Sequence, residues 1–91
     1  MQTTEKIILD GARMLDKTSV RDEIALQLRL PDYFSGTLDG LWDFISATDA
    51  DVTLIHADAL LDALGPYGLR LIKTFQEAVR VNPRFRFRTE T

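Results

Sequence analysis

The 91-residue chain predicts a small α/β fold in which helices pack on one side of a three-stranded parallel sheet. Three observations carry that expectation. Three short segments have strand character, each pair of consecutive strands is separated by two stretches with helical spacing, and Gly, Pro or Asn-Pro punctuates the joins. Helical crossovers connect parallel neighbours, and right-handed connections place both helical pairs on the same face.

The first strand is Lys6-Ile7-Ile8-Leu9, an apolar run closed by the turn dipeptide Asp10-Gly11. A helix follows from a cap at Thr18 or Ser19 to Arg29, with Val20, Ile24 and Leu28 at i, i+4 and i+8 and with Asp22 and Glu23 near its positive end. Pro31 stops it, because a residue before proline is pushed out of the helical region. A turn through Asp32 to Gly36 leads to a second helix capped by Ser35 or Thr37, whose inward stripe is Leu38, Leu41 and Ile45. The second strand is Val52-Thr53-Leu54-Ile55, rich in β-branched residues. Asp58 is the expected cap of a brief helix over Ala59 to Leu64, which Gly65-Pro66 ends. The longest helix is expected from about Tyr67 to Val81, with Leu71, Ile72, Phe75 and Val79 inward and Gly68 in its first turn. Asn82-Pro83 terminates it, and Arg84-Phe85-Arg86-Phe87-Arg88 alternates with period two, as an edge strand with one apolar face does.

Composition bounds the answer further. Hydrophobic residues are 45% and charged residues 27%, well away from the disordered regime. A chain this short buries roughly 60 to 65% of its unfolded surface, so one domain over residues 1–91 is expected, without repeat or linker. With no cysteine it has neither a disulfide framework nor a thiolate metal site, and no cofactor is implied. The stretch from Met1 to Asp16 lacks the basic and apolar regions of a secretory signal, and no apolar run approaches the ~20 residues of a membrane span. A cytoplasmic location is expected. The net charge of −3 argues against nucleic acid as a direct partner and accommodates a basic protein.

The most informative stretch for function is Leu30 to Asp43, LPDYFSGTLDGLWD. Asp39 and Asp43 are four apart and share a helix face, with Trp42, the one tryptophan, on a neighbouring stripe. Two negative charges beside a large flat apolar surface suit a cationic partner.

This pattern resembles the barstar family, the small intracellular inhibitors of the secreted bacterial ribonuclease barnase. The likeness rests on Leu30-Pro31-Asp32-Tyr33-Phe34, Leu38-Asp39 and Leu41-Trp42-Asp43, on Phe75, Glu77 and Ala78, and on the strand and helix order from end to end. The resemblance implies a two-layer barstar-like fold and inhibition by occlusion, with the second helix and preceding loop plugging the cleft of a basic ribonuclease in a one-to-one complex. It also implies residue roles. Asp43 takes the phosphate pocket, Asp39 pairs with basic residues at the rim, Tyr33 packs against the cleft wall, Trp42 braces the patch and Glu77 adds a third carboxylate. Thr37, Leu38 and Thr74 complete the expected contact surface.

Departures from the family pattern concentrate in the loop and the last helix. Ser35-Gly36 replaces a glycine-acid pair, Thr37 stands for asparagine, Thr74 for valine and Val81 for an acid, and both family cysteines are absent. The connection from the second strand to the last helix is shorter. Arg70, Lys73 and Arg80 dilute the acidic field.

Plainer readings stand beside these. Asp39 and Asp43 could be solvated surface charges, Asp39 could simply favour the helix start, Trp42 could be a packing residue, Tyr33 could close the turn after Pro31, and Glu77 could pair with Lys73 one turn earlier. His56 has no second histidine or cysteine for a metal site and reads as structural. Three function classes follow: a ribonuclease inhibitor that protects the producing cell, a barstar-fold interaction or toxin-immunity module whose partner is not a ribonuclease, and an enzyme using Asp39 and Asp43 as acid and base. The third lacks any nucleophile and base constellation.

Overall fold

A computed structural model describes residues 5–90, for Glu5 the backbone alone. The reading of Met1 to Asp16 as no secretory signal partly concerns residues 1–4, which lie outside the described residues. The order is β1 (Glu5–Asp10), a 3-10 turn (Gly11–Arg13), α1 (Lys17–Leu28), α2 (Leu38–Ile45), β2 (Ala50–Ile55), α3 (Ala57–Leu64), α4 (Pro66–Val81) and β3 (Phe85–Thr89). The strands form one sheet in the order β1-β2-β3, all parallel. Among the described residues no helix is long and apolar enough to cross a membrane.

Register explains the two faces. Ile7 pairs with Val52 and Leu9 with Leu54, while Val52 and Ala50 pair on the other side with Phe87 and Phe85. With side chains alternating across each strand, these residues share the face covered by the helices, where all but the half-buried Phe87 are buried. Lys6, Ile8, Arg86 and Arg88 point to the uncovered face and are exposed. Phe75 of α4 joins the layers, its ring stacked 4.8 Å from Phe87 and 6.1 Å from Phe85.

Several element boundaries differ from expectation for physical reasons. Asp16, rather than Thr18 or Ser19, caps α1: its carboxylate accepts the Ser19 N–H at 2.7 Å while the Ser19 hydroxyl receives the Asp16 N–H at 3.1 Å, a reciprocal capping box. Glu23 is buried instead of facing the helix start, and its carboxylate accepts the Asp10 N–H at 3.1 Å where β1 ends. Asp58 does not cap α3; His56 holds that place in a left-handed conformation (φ 52°), and the helix begins at Ala57. The strand β2 starts at Ala50, two residues early, and α4 starts on Pro66 itself, whose missing N–H costs nothing at a first helical position. The inward stripe of α4 uses Ala78, fully buried, where Val79 was expected; Val79 is 38% exposed.

Gly11 marks a close approach of two chain segments. A Cβ there would overlap the His56 carbonyl oxygen, so the turn after β1 and the turn after β2 touch backbone to backbone. The Asp10 carboxylate lies 2.9 Å from His56 Nδ1 across the same junction and also accepts the Ala12 N–H at 2.9 Å. These contacts give His56 the structural role its isolation suggested. They hold the Asp10 carboxyl below the ordinary range, the His56 hydrogen bond being the largest cause and partial burial opposing it.

Candidate functional site

The site is built outward from the end of α1. Arg29 adopts a left-handed conformation (φ 55°) and Leu30 N–H bonds Ala25 O at 3.0 Å, which ends the helix at Leu28, ahead of Pro31. A turn closes when Phe34 N–H bonds Pro31 O at 3.0 Å. That turn sends Phe34 into the core and leaves Tyr33 81% exposed. Phe44 of α2 sits beneath both, edge-on to Phe34 at 5.9 Å and tilted against Tyr33 at 6.3 Å. Tyr33 is therefore a supported, outward-facing ring, and the turn-closing role belongs to the backbone.

The loop that follows is fastened at three points. Gly36 has φ 84°, where a side chain would be strained, and an added Cβ would meet the Arg21 methylenes of α1. The Ser35 and Thr37 hydroxyls lie 2.9 Å apart. Thr37, one of the two expected caps, accepts the Gly40 N–H at 3.0 Å and starts α2. Gly40 leaves room for the Ser35 and Thr37 side chains, so the loop lies directly against the helix.

On α2, Leu41 and Ile45 are buried, and Leu38 and Trp42 are half-buried against the core. At 100° per residue, Asp39 and Asp43 stand about 40° apart on the outer side. Both are exposed, and neither has a hydrogen bond or ion pair among the described residues. Like charges one turn apart oppose the helix by about 0.2 to 0.5 kcal/mol, a repulsion that an incoming cation removes.

Across from α2, α4 completes an open groove of about 420 Å³ lined by Leu38, Asp39, Trp42, Lys73, Thr74 and Glu77. Five of the eight sequence-nominated residues meet there. Tyr33, Thr37 and Asp43 do not line it: Tyr33 and Thr37 belong to the loop, and Asp43 lies on the outer crest of α2. Thr74 commits its hydroxyl to Arg70 O at 2.8 Å. Glu77 does not pair with Lys73; its Oε1 receives Arg80 Nη1 at 3.2 Å. The shared-pocket geometry that would suit an Asp39 and Asp43 acid-base pair is absent from this groove. Among the described residues no group of three or more His, Cys, Asp or Glu is placed to hold a metal ion.

The sequence does not mark Phe44, Gly40 or Asn82 as supports, and it offers Lys73 only as a diluting charge or a partner for Glu77. Asn82 is buried at the end of α4, where its amide donates to Ile45 O at 3.2 Å and Thr48 O at 3.0 Å and accepts Arg84 N–H at 3.0 Å. It pins the end of α2 to α4. A glycine inside an otherwise helical pattern was the one available signal for Gly40; Asn82-Pro83 signalled only a helix end.

A family model described as Barstar (barnase inhibitor) matches residues 4–90. A curated relative, "Putative ribonuclease inhibitor YrdF" of Bacillus subtilis (strain 168), is 32% identical over 76 residues, covering 80% of this chain and 84% of that protein. The match runs from before β1 to past β3, and the three-stranded parallel sheet with its four helices is the α/β architecture that the resemblance implied. Fold, motif and family match agree from end to end: the chain belongs to the barstar family of barnase inhibitors.

Proposed function

We propose that this chain, acting as one domain in the cytoplasm, inhibits a basic ribonuclease by closing its active-site cleft with the loop Leu30 to Thr37 and helix α2, one molecule to one. The observation that carries this reading is the pair Asp39 and Asp43, exposed and unpaired on one helix face whose base is rigidly anchored. A cleft built to hold phosphate is lined with cations and offers charge-assisted hydrogen bonds to a carboxylate. In this arrangement Asp43, on the crest, enters deepest and occupies the phosphate pocket. Asp39 and Glu77 meet cations at the rim, Tyr33 packs on the cleft wall, and Thr37, Leu38, Trp42 and Thr74 supply the surrounding surface. The Ser35, Gly36 and Thr37 contacts tie the loop to α1 and α2, and preorganisation of that kind favours binding.

Titration of purified barnase with the purified chain tests the reading. Ribonuclease activity is expected to fall to zero at one equivalent. Removing one member of a desolvated charge pair costs roughly 2 to 5 kcal/mol, a range drawn in part from the barnase and barstar complex itself, so Asp43→Ala should weaken inhibition at least 30-fold and Asp39→Ala less. Inhibition that Asp43→Ala leaves unchanged would refute the assigned role. A second reading, an immunity or interaction module for a non-ribonuclease partner, draws on the cations Lys73 and Arg80 beside the acidic face. Capture of a basic ribonuclease from cells of the source organism decides between the two.

A further inference from the structure

Lys73 is out of place on a surface that meets only cations. It lines the groove beside Asp39 and Glu77, yet neither carboxylate neutralises it. The reason lies in helix geometry. A lysine four residues before a glutamate is the poorer order for a helical pair, whereas Arg80 follows Glu77 by three and takes its carboxylate at 3.2 Å. Lys73 is exposed, with no hydrogen bond or ion pair among the described residues. Its neighbours Leu38 and Trp42 give the groove apolar walls that a docked partner would dry. An ammonium that loses its water there without a counter-charge is costly.

We infer that Lys73 is a specificity-determining residue, selecting among basic ribonucleases those that place an Asp or Glu carboxylate at the cleft rim opposite α4. This rests on the occlusion reading above and deepens it. The surface is a two-sign pattern: Asp43 faces the cationic floor of the cleft and Asp39 and Glu77 face cations at its rim, while the Lys73 ammonium faces a separate place on that rim. A partner with cations at both places meets Lys73 as a like charge and is rejected. Arg80 does not share this role, because Glu77 already accompanies it.

A library of catalytically inactivated barnase, displayed on yeast with its cleft-rim positions randomised, tests this directly. It is sorted for binding to the parent chain and separately to Lys73→Met, with Lys73→Gln as a second neutral variant. The parent sort should enrich Asp or Glu at one or two adjacent rim positions, and both neutral variants should lose that enrichment. Lys73→Glu should bind the parent-selected clones at least tenfold more weakly. Equal residue frequencies in the parent and neutral-variant sorts overturn the inference. Binders indifferent to Asp43→Ala overturn the occlusion reading beneath it, and a library yielding no binders overturns both.

Discussion

Asn82→Ala should be among the most destabilising single substitutions outside the apolar core. Its side chain is buried and makes three hydrogen bonds, two to carbonyls at the end of α2 and beyond and one from the N–H of Arg84. Ile45 O belongs to the last turn of α2, where helix geometry leaves carbonyls without partners. At about 0.5 to 1.5 kcal/mol net for each bond, the loss spans roughly 1.5 to 4.5 kcal/mol. The bond to Ile45 is buried and water cannot replace it, while those to Thr48 and Arg84 are only part-buried. That places the expected cost at about 3 kcal/mol, a large share of the about 5 to 15 kcal/mol that holds a domain together. In urea, with a slope near 1 to 1.5 kcal/mol per molar, the midpoint should fall by about 2 to 3 M at unchanged slope. Asn82→Asp sharpens the test by turning the donor into a carboxylate facing two carbonyls, and it should be worse than alanine at neutral pH. A midpoint within experimental error of the parent, or an aspartate milder than alanine, would refute the argument.

Gly11→Ala forces a Cβ onto the His56 carbonyl, backbone against backbone, and should cost about 3 kcal/mol in the same urea experiment, the upper end for overpacking. Asp10 has a carboxyl whose folded pKa is depressed, so its contribution to stability is present above the ordinary carboxylate value and disappears as pH falls through the folded one. Thermal midpoints measured from about pH 5 to pH 2 should therefore drop less steeply below about pH 4 for Asp10→Asn than for the parent; parallel curves would exclude the effect. Phe44→Ala removes the support beneath Tyr33 and Phe34, and should cost about 2 kcal/mol for a half-buried ring and weaken barnase binding together with stability, whereas Tyr33→Ala should affect binding alone.

The strands and long helices were legible because their signals are local. Val52 to Ile55 and the alternation from Phe85 to Arg88 fix strand type, and Leu71, Ile72 and Phe75 fix the buried side of α4. What escaped depends on partners distant in sequence or on competing local bonds. Thr18 and Ser19 are good caps by type, but Asp16 reaches Ser19 N–H first and turns Ser19 into the responding half of the box. Ala78, rather than Val79, lies in the core because it stands at i+3 from Phe75 and i+7 from Leu71, both buried. Of the site, the acidic pair and Trp42 were visible as a motif. The groove was not, since Lys73 and Thr74 come to Asp39 only through the pairing of α2 with α4.

Trp42 is the single tryptophan of the chain and stands half-buried in the wall of that groove. Its indole is thus a built-in fluorophore at the surface proposed to meet the partner, with no second emitter of its kind to confuse the signal. Emission colour reports water around the ring: unfolding exposes it and shifts the spectrum red, while closure of the groove by a docked protein dries it and shifts the spectrum blue. The two events move one signal in opposite directions. Against a tryptophan-free partner, folding and complex formation can therefore be followed in the same cuvette, on unlabelled protein, by the sign of a wavelength change.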